Sequence, residues 1–342
     1  MSKNHVARLN GAELGNIWTS YMSDSMAVCV LTRFSETAED PEVRNILQFA
    51  LDLSKKHIGV LKEIFQRENC PIPVGFEEKD MNLNAPRLFS DTFFLVYLQN
   101  MSRMGLGIYS IALPIMARED VRDYYRKCVA SSADLNVKLT KLMLKKGIYT
   151  RAPYVTVPNQ VAFINDQHYK AGWLGKQRPL TSQEMTNVSL SLLTNVFSKV
   201  LLSGYAQVAK VEKVRRYMFK GANIAAKQIE ILSGLLHESD LSAPPTWDSE
   251  VTESTVAPFS DKLMMFHSRV LTQAGIANYG GSISMSMRHD LAPIYTKMAA
   301  ELGKFGDKGL SLMIENRWLE EPPRAPDRTA LTKKGQDHSR DS

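Results

Sequence analysis

His57 is the residue whose type and position could do chemistry, because it lies at the centre of an apolar stripe on a predicted helix. An imidazole inside a helical bundle can ligate a metal ion or hydrogen-bond to a neighbouring helix. Asp24 and Asp134 are carboxylates at comparable depth on two other predicted helices. His57, Asp24 and Asp134 would together form a non-standard site for iron or another divalent metal.

A standard di-iron centre is not expected, because it needs Glu-x-x-His motifs on two helices. The chain contains no Glu-x-x-His, and Ser54 stands where the carboxylate should precede His57. Asp134 also lies about 100° from the apolar stripe of its helix. The competing interpretation makes His57 a core polar residue that is hydrogen-bonded across the bundle, with the two aspartates solvated or in ion pairs. We therefore expect no cofactor and keep the metal site as the alternative.

Other catalytic patterns have no support in the sequence. Cys29 and Cys128 lie on apolar helix faces, where a reactive thiolate is disfavoured. The three cysteines are an odd number without CxxC spacing, which fits a reducing compartment. We expect a cytoplasmic binding or structural protein, while the question of enzymatic activity stays open.

The charge balance is mildly basic, with 42 basic and 36 acidic residues. A nucleic-acid partner is not expected, because it requires the excess to be concentrated on one face. No apolar run reaches the roughly 18 residues of a transmembrane helix. A protein partner or a second copy of the chain is the more natural expectation. One basic cluster opens a helix, where cations oppose the helix dipole, and is a weak polyanion candidate: Lys210, Lys213, Arg215, Arg216 and Lys220.

The chain repeats itself after about 170 residues. The motif Phe89-Ser90-Asp91 recurs as Phe259-Ser260-Asp261. At the same offset of 170, four further residues recur: Gly105, Tyr109, Arg118 and Asp120 return as Gly275, Tyr279, Arg288 and Asp290. Such a long period indicates two copies of one domain.

The repeat divides the chain into four parts, predicted at residues 8–150, 151–180, 181–320 and 321–342. The first and third are copy one and copy two. The second is a connector that contains Tyr154, Phe163, Tyr169 and Trp173, and we expect it to be irregular but packed on the bundles. The fourth is a polar tail that we expect to be mobile at its end.

Each copy is predicted to contain four helices, because apolar residues recur with helical spacing. The connections between them are short, long and short, which is the order found in ferritin-like bundles. The sequence thus predicts an all-α fold of two tandem ferritin-like four-helix bundles related by internal duplication. The helices are expected at 13–34, 41–68, 91–116 and 120–147, and at 182–209, 211–238, 260–286 and 290–316.

Three segments, beginning at Glu13, Asn82 and Thr246, carry a family resemblance. They are ELGNIWTSYMSDS, NLNAPRLFSD and TWDSEVTESTVAPFSDKLMMFH. The chain resembles an uncharacterised family of spore-forming Gram-positive bacteria, a domain of unknown function that occurs as tandem ferritin-like bundles. The resemblance implies the fold and no activity, and the distribution of the family implies a role in stress or sporulation.

Overall fold

The computed structural model describes residues 7–171 and 177–332. Its eight long α-helices fall into two groups of four, which are copy one (α1–α4) and copy two (α5–α8). Within the described ranges, β-structure is limited to two isolated bridges. The helices are α1 Gly11–Thr37, α2 Pro41–Arg67, α3 Asp91–Ala112, α4 Glu119–Lys145, α5 Ser182–Val208, α6 Glu212–His237, α7 Asp261–Met285 and α8 Leu291–Glu315.

Helix starts follow local signals in the sequence. α2 begins at Pro41, and the Asp40 carboxylate accepts the backbone N–H of Glu42 at 2.8 Å. Ser90 and Ser260 cap α3 and α7 in the same way, each at 3.1 Å. Short turns join the first and second helices and the third and fourth helices of each copy, and a long crossover joins the second to the third. The predicted all-α, duplicated bundle architecture is confirmed.

The two copies join through their long crossovers. Ser90 N–H donates to the carbonyl of Glu250 at 3.0 Å, and Ser260 N–H donates to the carbonyl of Asp80 at 2.9 Å. The two pairs differ by 170 residues, so they are equivalent under an approximate two-fold relation between the copies. The side chains repeat this exchange, since the Ser260 hydroxyl donates to Asp80 at 2.7 Å and the Ser90 hydroxyl donates to Glu250.

One apolar core runs through this junction and includes residues of both copies. Phe93 of copy one stacks on Phe197 of copy two, with ring centroids 5.6 Å apart. Phe34 likewise meets Phe259 at 6.4 Å. Smaller clusters fill the far end of each bundle. The duplication therefore buries the inner ends of both bundles against each other.

Gly204 on α5 lies at this junction, and a Cβ atom there would come within 2.5 Å of the Phe89 ring. Gly204→Ala should therefore destabilise the protein by about 1–3 kcal/mol through overpacking. Gly59→Ala is the matched control, because it adds a methyl to α2 where no atom lies within 4 Å. That control should stabilise the helix by up to about 1 kcal/mol. Urea unfolding measures both, and equal effects would contradict the close approach.

The far ends of the bundles are closed by a repeated ion-pair network. In copy two, Arg288 is 1% exposed and pairs with Asp290 at 2.8 Å. The Glu184 carboxylate accepts the backbone N–H of Arg288 at 3.0 Å. Arg118 and Asp120 repeat the pair in copy one at 2.7 Å. The aspartates were expected to start α4 and α8, and they do lie at these helix starts, but their carboxylates pair with the arginine two residues earlier.

The connector differs from the prediction. Nearly all side chains of residues 151–168 are exposed, Tyr154 and Phe163 among them, whereas Tyr169 is half-buried with the Arg178 guanidinium 4.1 Å from its ring centroid. Burial requires a facing apolar surface, and residues 151–168 find none among the described residues. Trp173 lies outside the described residues. Of the predicted tail, residues 321–332 are exposed and residues 333–342 lie outside the described part.

One helix of the described residues, α5, is long and apolar enough to cross a membrane by length and composition alone. Its most apolar window is 67% buried inside the protein. A buried core helix of a bundle has the same length and apolar composition, so α5 is a weak candidate for a membrane-spanning helix.

Candidate functional site

The four helices of copy one each place a polar or aromatic residue in the middle of the bundle. We call this group the copy-one centre. Its ion pair joins α1 to α2, with Asp24 Oδ1 3.3 Å from His57 Nδ1. Three further residues complete the group: Tyr109 on α3, and Tyr124 and Cys128 on α4.

The ion pair is buried, with side-chain exposures of 12% for His57 and 7% for Asp24. Burial lowers the pKa of His57, but the hydrogen bond to Asp24 and the adjacent Cys128 outweigh it, and the pKa rises to about 10. His57 is therefore an imidazolium at neutral pH. The raised pKa favours the protonated ring, which has no free lone pair for a metal ion.

Aromatic rings enclose the imidazolium on two sides. The rings of Tyr109 and Tyr124 lie edge-on to His57, with centroids 6.0 and 5.9 Å away. Burial and the nearby Asp24 charge raise the pKa of both phenols well above 10.0. Two buried atoms of the centre, Asp24 Oδ2 and the Tyr124 hydroxyl oxygen, have no hydrogen-bond partner among the described residues. The copy-one centre thus has unused hydrogen-bonding capacity.

The structure brings together two of the three predicted metal ligands. Asp24 and His57 are paired, whereas Asp134 is exposed on α4. The rotation of α4 turns Leu135 into the core and leaves Asp134 outside. In the part of the chain that the structure describes, no three His, Cys, Asp or Glu side chains are grouped to hold a metal ion. The described positions of Asp24, His57 and Asp134 therefore do not form the predicted three-ligand metal site.

The raised pKa predicts a pH dependence of stability. The proton on His57 is held more tightly in the fold, with a pKa of about 10, than at its ordinary value of 6.5. This stabilisation is complete below pH 6.5 and is lost as the pH rises through 10. Between these values, the wild type should lose up to about 1.4 kcal/mol per pH unit relative to His57→Gln. Urea unfolding across this range measures the difference, and parallel losses in both proteins would contradict it.

Copy two has a different centre at the equivalent positions. Asn195 donates to the Tyr279 hydroxyl at 2.7 Å, and that hydroxyl donates to Gln228 at 2.6 Å. Burial raises the pKa of Tyr279 to about 12, so the phenol stays protonated. Tyr279 thus packs between helices and its hydroxyl has partners on α5 and α6. The copy-two centre is a neutral, closed chain of hydrogen bonds.

Sequence reasoning missed Cys128 and Tyr124, which were not assigned to a site. A comparison of the copies could have found Cys128. Copy two has Asn195, Gln228 and Met298 where copy one has Asp24, His57 and Cys128. These three differences between the copies lie close together in the folded bundle, and they distinguish the copy-one centre from the equivalent positions of copy two.

A second buried histidine lies at the junction of the copies. His267 Nδ1 is 2.8 Å from the Tyr205 hydroxyl, and its ring lies edge-on to Tyr97 at 5.5 Å. Burial lowers the pKa of His267 to about 3, so the ring is neutral. His267 is a core residue of the junction, as a lone histidine on a helix usually is.

The basic cluster at the start of α6 is only partly paired. Arg215 and Arg216 share Glu212, at 3.0 and 2.8 Å, and Lys213 contacts Glu315 at 2.9 Å. Two carboxylates thus face five cations, and Lys210 and Lys220 form no ion pair among the described residues. The surface keeps a net positive charge, and its interaction with a polyanion stays a prediction.

A family model for a protein of unknown function (DUF3231) matches residues 2–161 and again residues 169–331. The chain belongs to this family. Its two matches correspond to the internal repeat, and the family description assigns no activity. The predicted membership of a domain-of-unknown-function family is confirmed.

A solved structure from Bacillus halodurans C-125, provisionally named a spore coat protein, is similar to one part of this family member. The two are 19% identical, with a TM-score of 0.41. The match covers 44% of this chain and 98% of that chain. No curated protein matches the chain.

Proposed function

We propose that the protein is a binding module on a duplicated ferritin-like scaffold, in which copy one holds the ligand and copy two supports it. The short, long, short order of connections in each copy supports the ferritin-like assignment. One observation carries the binding role, namely the unpartnered Oδ2 of the buried Asp24. A buried carboxylate oxygen without a donor costs free energy, and a small ligand that donates a hydrogen bond recovers it.

The second candidate is a metal-binding or metal-dependent redox or storage protein. Its support is the interaction of the Cys128 thiol with His57, since thiol, imidazole and carboxylate are ligand types of zinc and iron, although the described positions do not group three such side chains around one point. Asp134 is not part of this set. A metal would have to displace the proton on His57, so its affinity should rise with pH.

The test uses protein purified without chelators, which is denatured so that any bound species is released. Mass spectrometry and elemental analysis then identify what the wild type and Asp24→Asn/His57→Gln release. A stoichiometric small molecule from the wild type alone supports the binding module. A stoichiometric metal that is lost in His57→Ala supports the second candidate. If neither protein releases anything, and a crystal structure shows only water at Asp24, both fail.

We also propose a cytoplasmic location in spore-forming bacteria, in stress or sporulation physiology. The three cysteines are unpaired, which suits a reducing compartment. The resemblance to a family of spore formers supports the physiological setting. Fractionation of a sporulating culture tests both parts, and recovery of the protein from the culture medium would contradict them.

A further inference from the structure

The connector exposes an apolar segment that no other described part of the chain covers. Residues 152–165 carry no charge. Four of their side chains are largely in solvent: Tyr154 81%, Val157 80%, Val161 86% and Phe163 85%. Scattered exposed apolar residues are ordinary, but a contiguous run of this kind marks an interaction surface.

A second uncharged surface lies on the last turns of α3. Residues 104–117 carry no charge. Ile108, Ile111 and Ile115 share one face of this segment, and each is about half exposed or more. Gly107 has open space around it on the same segment. We call this surface the α3 face.

The connector and the α3 face of one chain lie far apart. The α3 face adjoins the start of α4, whereas the connector leaves from the end of α4. The 27 residues of α4 span about 40 Å. The other end of the connector is tied to the far end of copy two, where the His289 N–H donates to the Lys170 carbonyl at 3.0 Å. The connector therefore follows copy two, and the α3 face belongs to copy one.

We propose that a second copy of this chain covers both surfaces, with the connector of each chain packed on the α3 face of the other. An antiparallel pair places copy one of one chain beside copy two of its partner, which brings the two surfaces into contact twice around one two-fold axis. This proposal is independent of the ligand in the copy-one centre.

The area and the charge both favour a second copy. Each aromatic side chain of the connector can bury about 150 Å² or more. With two exposed aromatic side chains in each connector, two contacts counted on both partners would bury about 1,200 Å² through the aromatic rings alone, which reaches the lower end of the range for a stable interface. Neither surface offers a cation to a nucleic acid or an anionic membrane. Both surfaces are uncharged and apolar, so each can pack on the other without burying a charge.

Sedimentation equilibrium of the full chain tests the proposal. The expected species has twice the 38.4 kDa mass of the chain. Phe163→Asp and Ile111→Asp should each weaken the dimer at least about tenfold, because each places a charge in an apolar contact. Asn223→Asp adds the same charge to an exposed position of α6, outside both surfaces, and should leave the dimer unchanged. Circular dichroism confirms that all variants are folded.

Cross-linking tests the pairing of the two surfaces. Phe163→Cys and Ile111→Cys proteins are mixed and treated with a short bismaleimide, with wild type as the background for the native cysteines. A cross-linked peptide that joins positions 163 and 111 of different chains is expected. A monomer at all concentrations, a dimer that both aspartate variants leave intact, or binding of the monomer to neutral vesicles through these residues would each overturn the proposal.

Discussion

Replacing Arg288 with methionine should lower the free energy of unfolding by about 3–5 kcal/mol. The guanidinium is 1% exposed, and two of its nitrogens each lie 2.8 Å from an oxygen of Asp290. A third nitrogen donates to the carbonyl of Arg178 at 3.1 Å. Methionine fills similar space but leaves the Asp290 carboxylate buried and uncompensated. Most of the expected loss of stability comes from this buried carboxylate, which no longer has a charged partner.

Urea unfolding followed by circular dichroism measures the loss. Arg126→Met is the matched control, because Arg126 pairs with Asp123 at 2.7 Å but is 64% exposed. An exposed pair contributes at most about 1 kcal/mol. Arg118→Met removes the equivalent buried arginine of copy one but should cost less, because Asp120 is 29% exposed and keeps an ion pair with Arg67 at 2.9 Å. An effect of Arg288→Met no larger than that of Arg126→Met would show that the network does not hold the far end of the bundle.

Replacing His57 alone with glutamine should cost about 3–5 kcal/mol, because it removes one partner of a buried ion pair. Asp24→Asn alone should also be destabilising, since His57 then loses the interaction that keeps it charged. The double variant should recover more than half of the larger single loss. It copies the Asn195 and Gln228 pair of copy two, and Tyr109 stands where copy two has Tyr279.

A double-mutant cycle on the free energy of unfolding measures this coupling, at about pH 7 where His57 is charged. Losses that simply add would mean that Asp24 and His57 do not act as a pair. A double variant less stable than either single variant would mean that the closed chain of copy two cannot form in copy one. Either result would remove the structural basis for comparing the two centres.

The helices could be predicted because their signals are local. Asp40, Ser90 and Ser260 start helices through contacts with residues two or three positions away. The far-end aspartates were assigned differently, because Asp120 and Asp290 follow an arginine that turns back and pairs with them. A cap and an ion pair look alike in the sequence, and only the backbone of the turn separates them.

The candidate site was only partly predictable. The apolar stripe placed His57 inside the bundle, and depth along the helices selected both Asp24, which the structure pairs with His57, and Asp134, which it leaves exposed. Depth follows from residue number at 1.5 Å per residue, but the side of a helix that faces the centre depends on its rotation. The packing of all four helices sets the rotation of each helix. The rotation of α4 turns Cys128 and Tyr124 toward the centre of the bundle.

The sequence by itself determined the all-α class, the duplication and the order of the connections, because periodicity, caps and repeats are properties of neighbouring residues or of direct comparison between copies. Only the tertiary structure decided the hydrogen bonds between the two crossovers, the ion pair in the copy-one centre and the exposure of the connector. Ser90 and Glu250 are 160 residues apart, and Asp24 and His57 are 33 apart. Contacts over such separations depend on how whole helices pack, which no local pattern specifies.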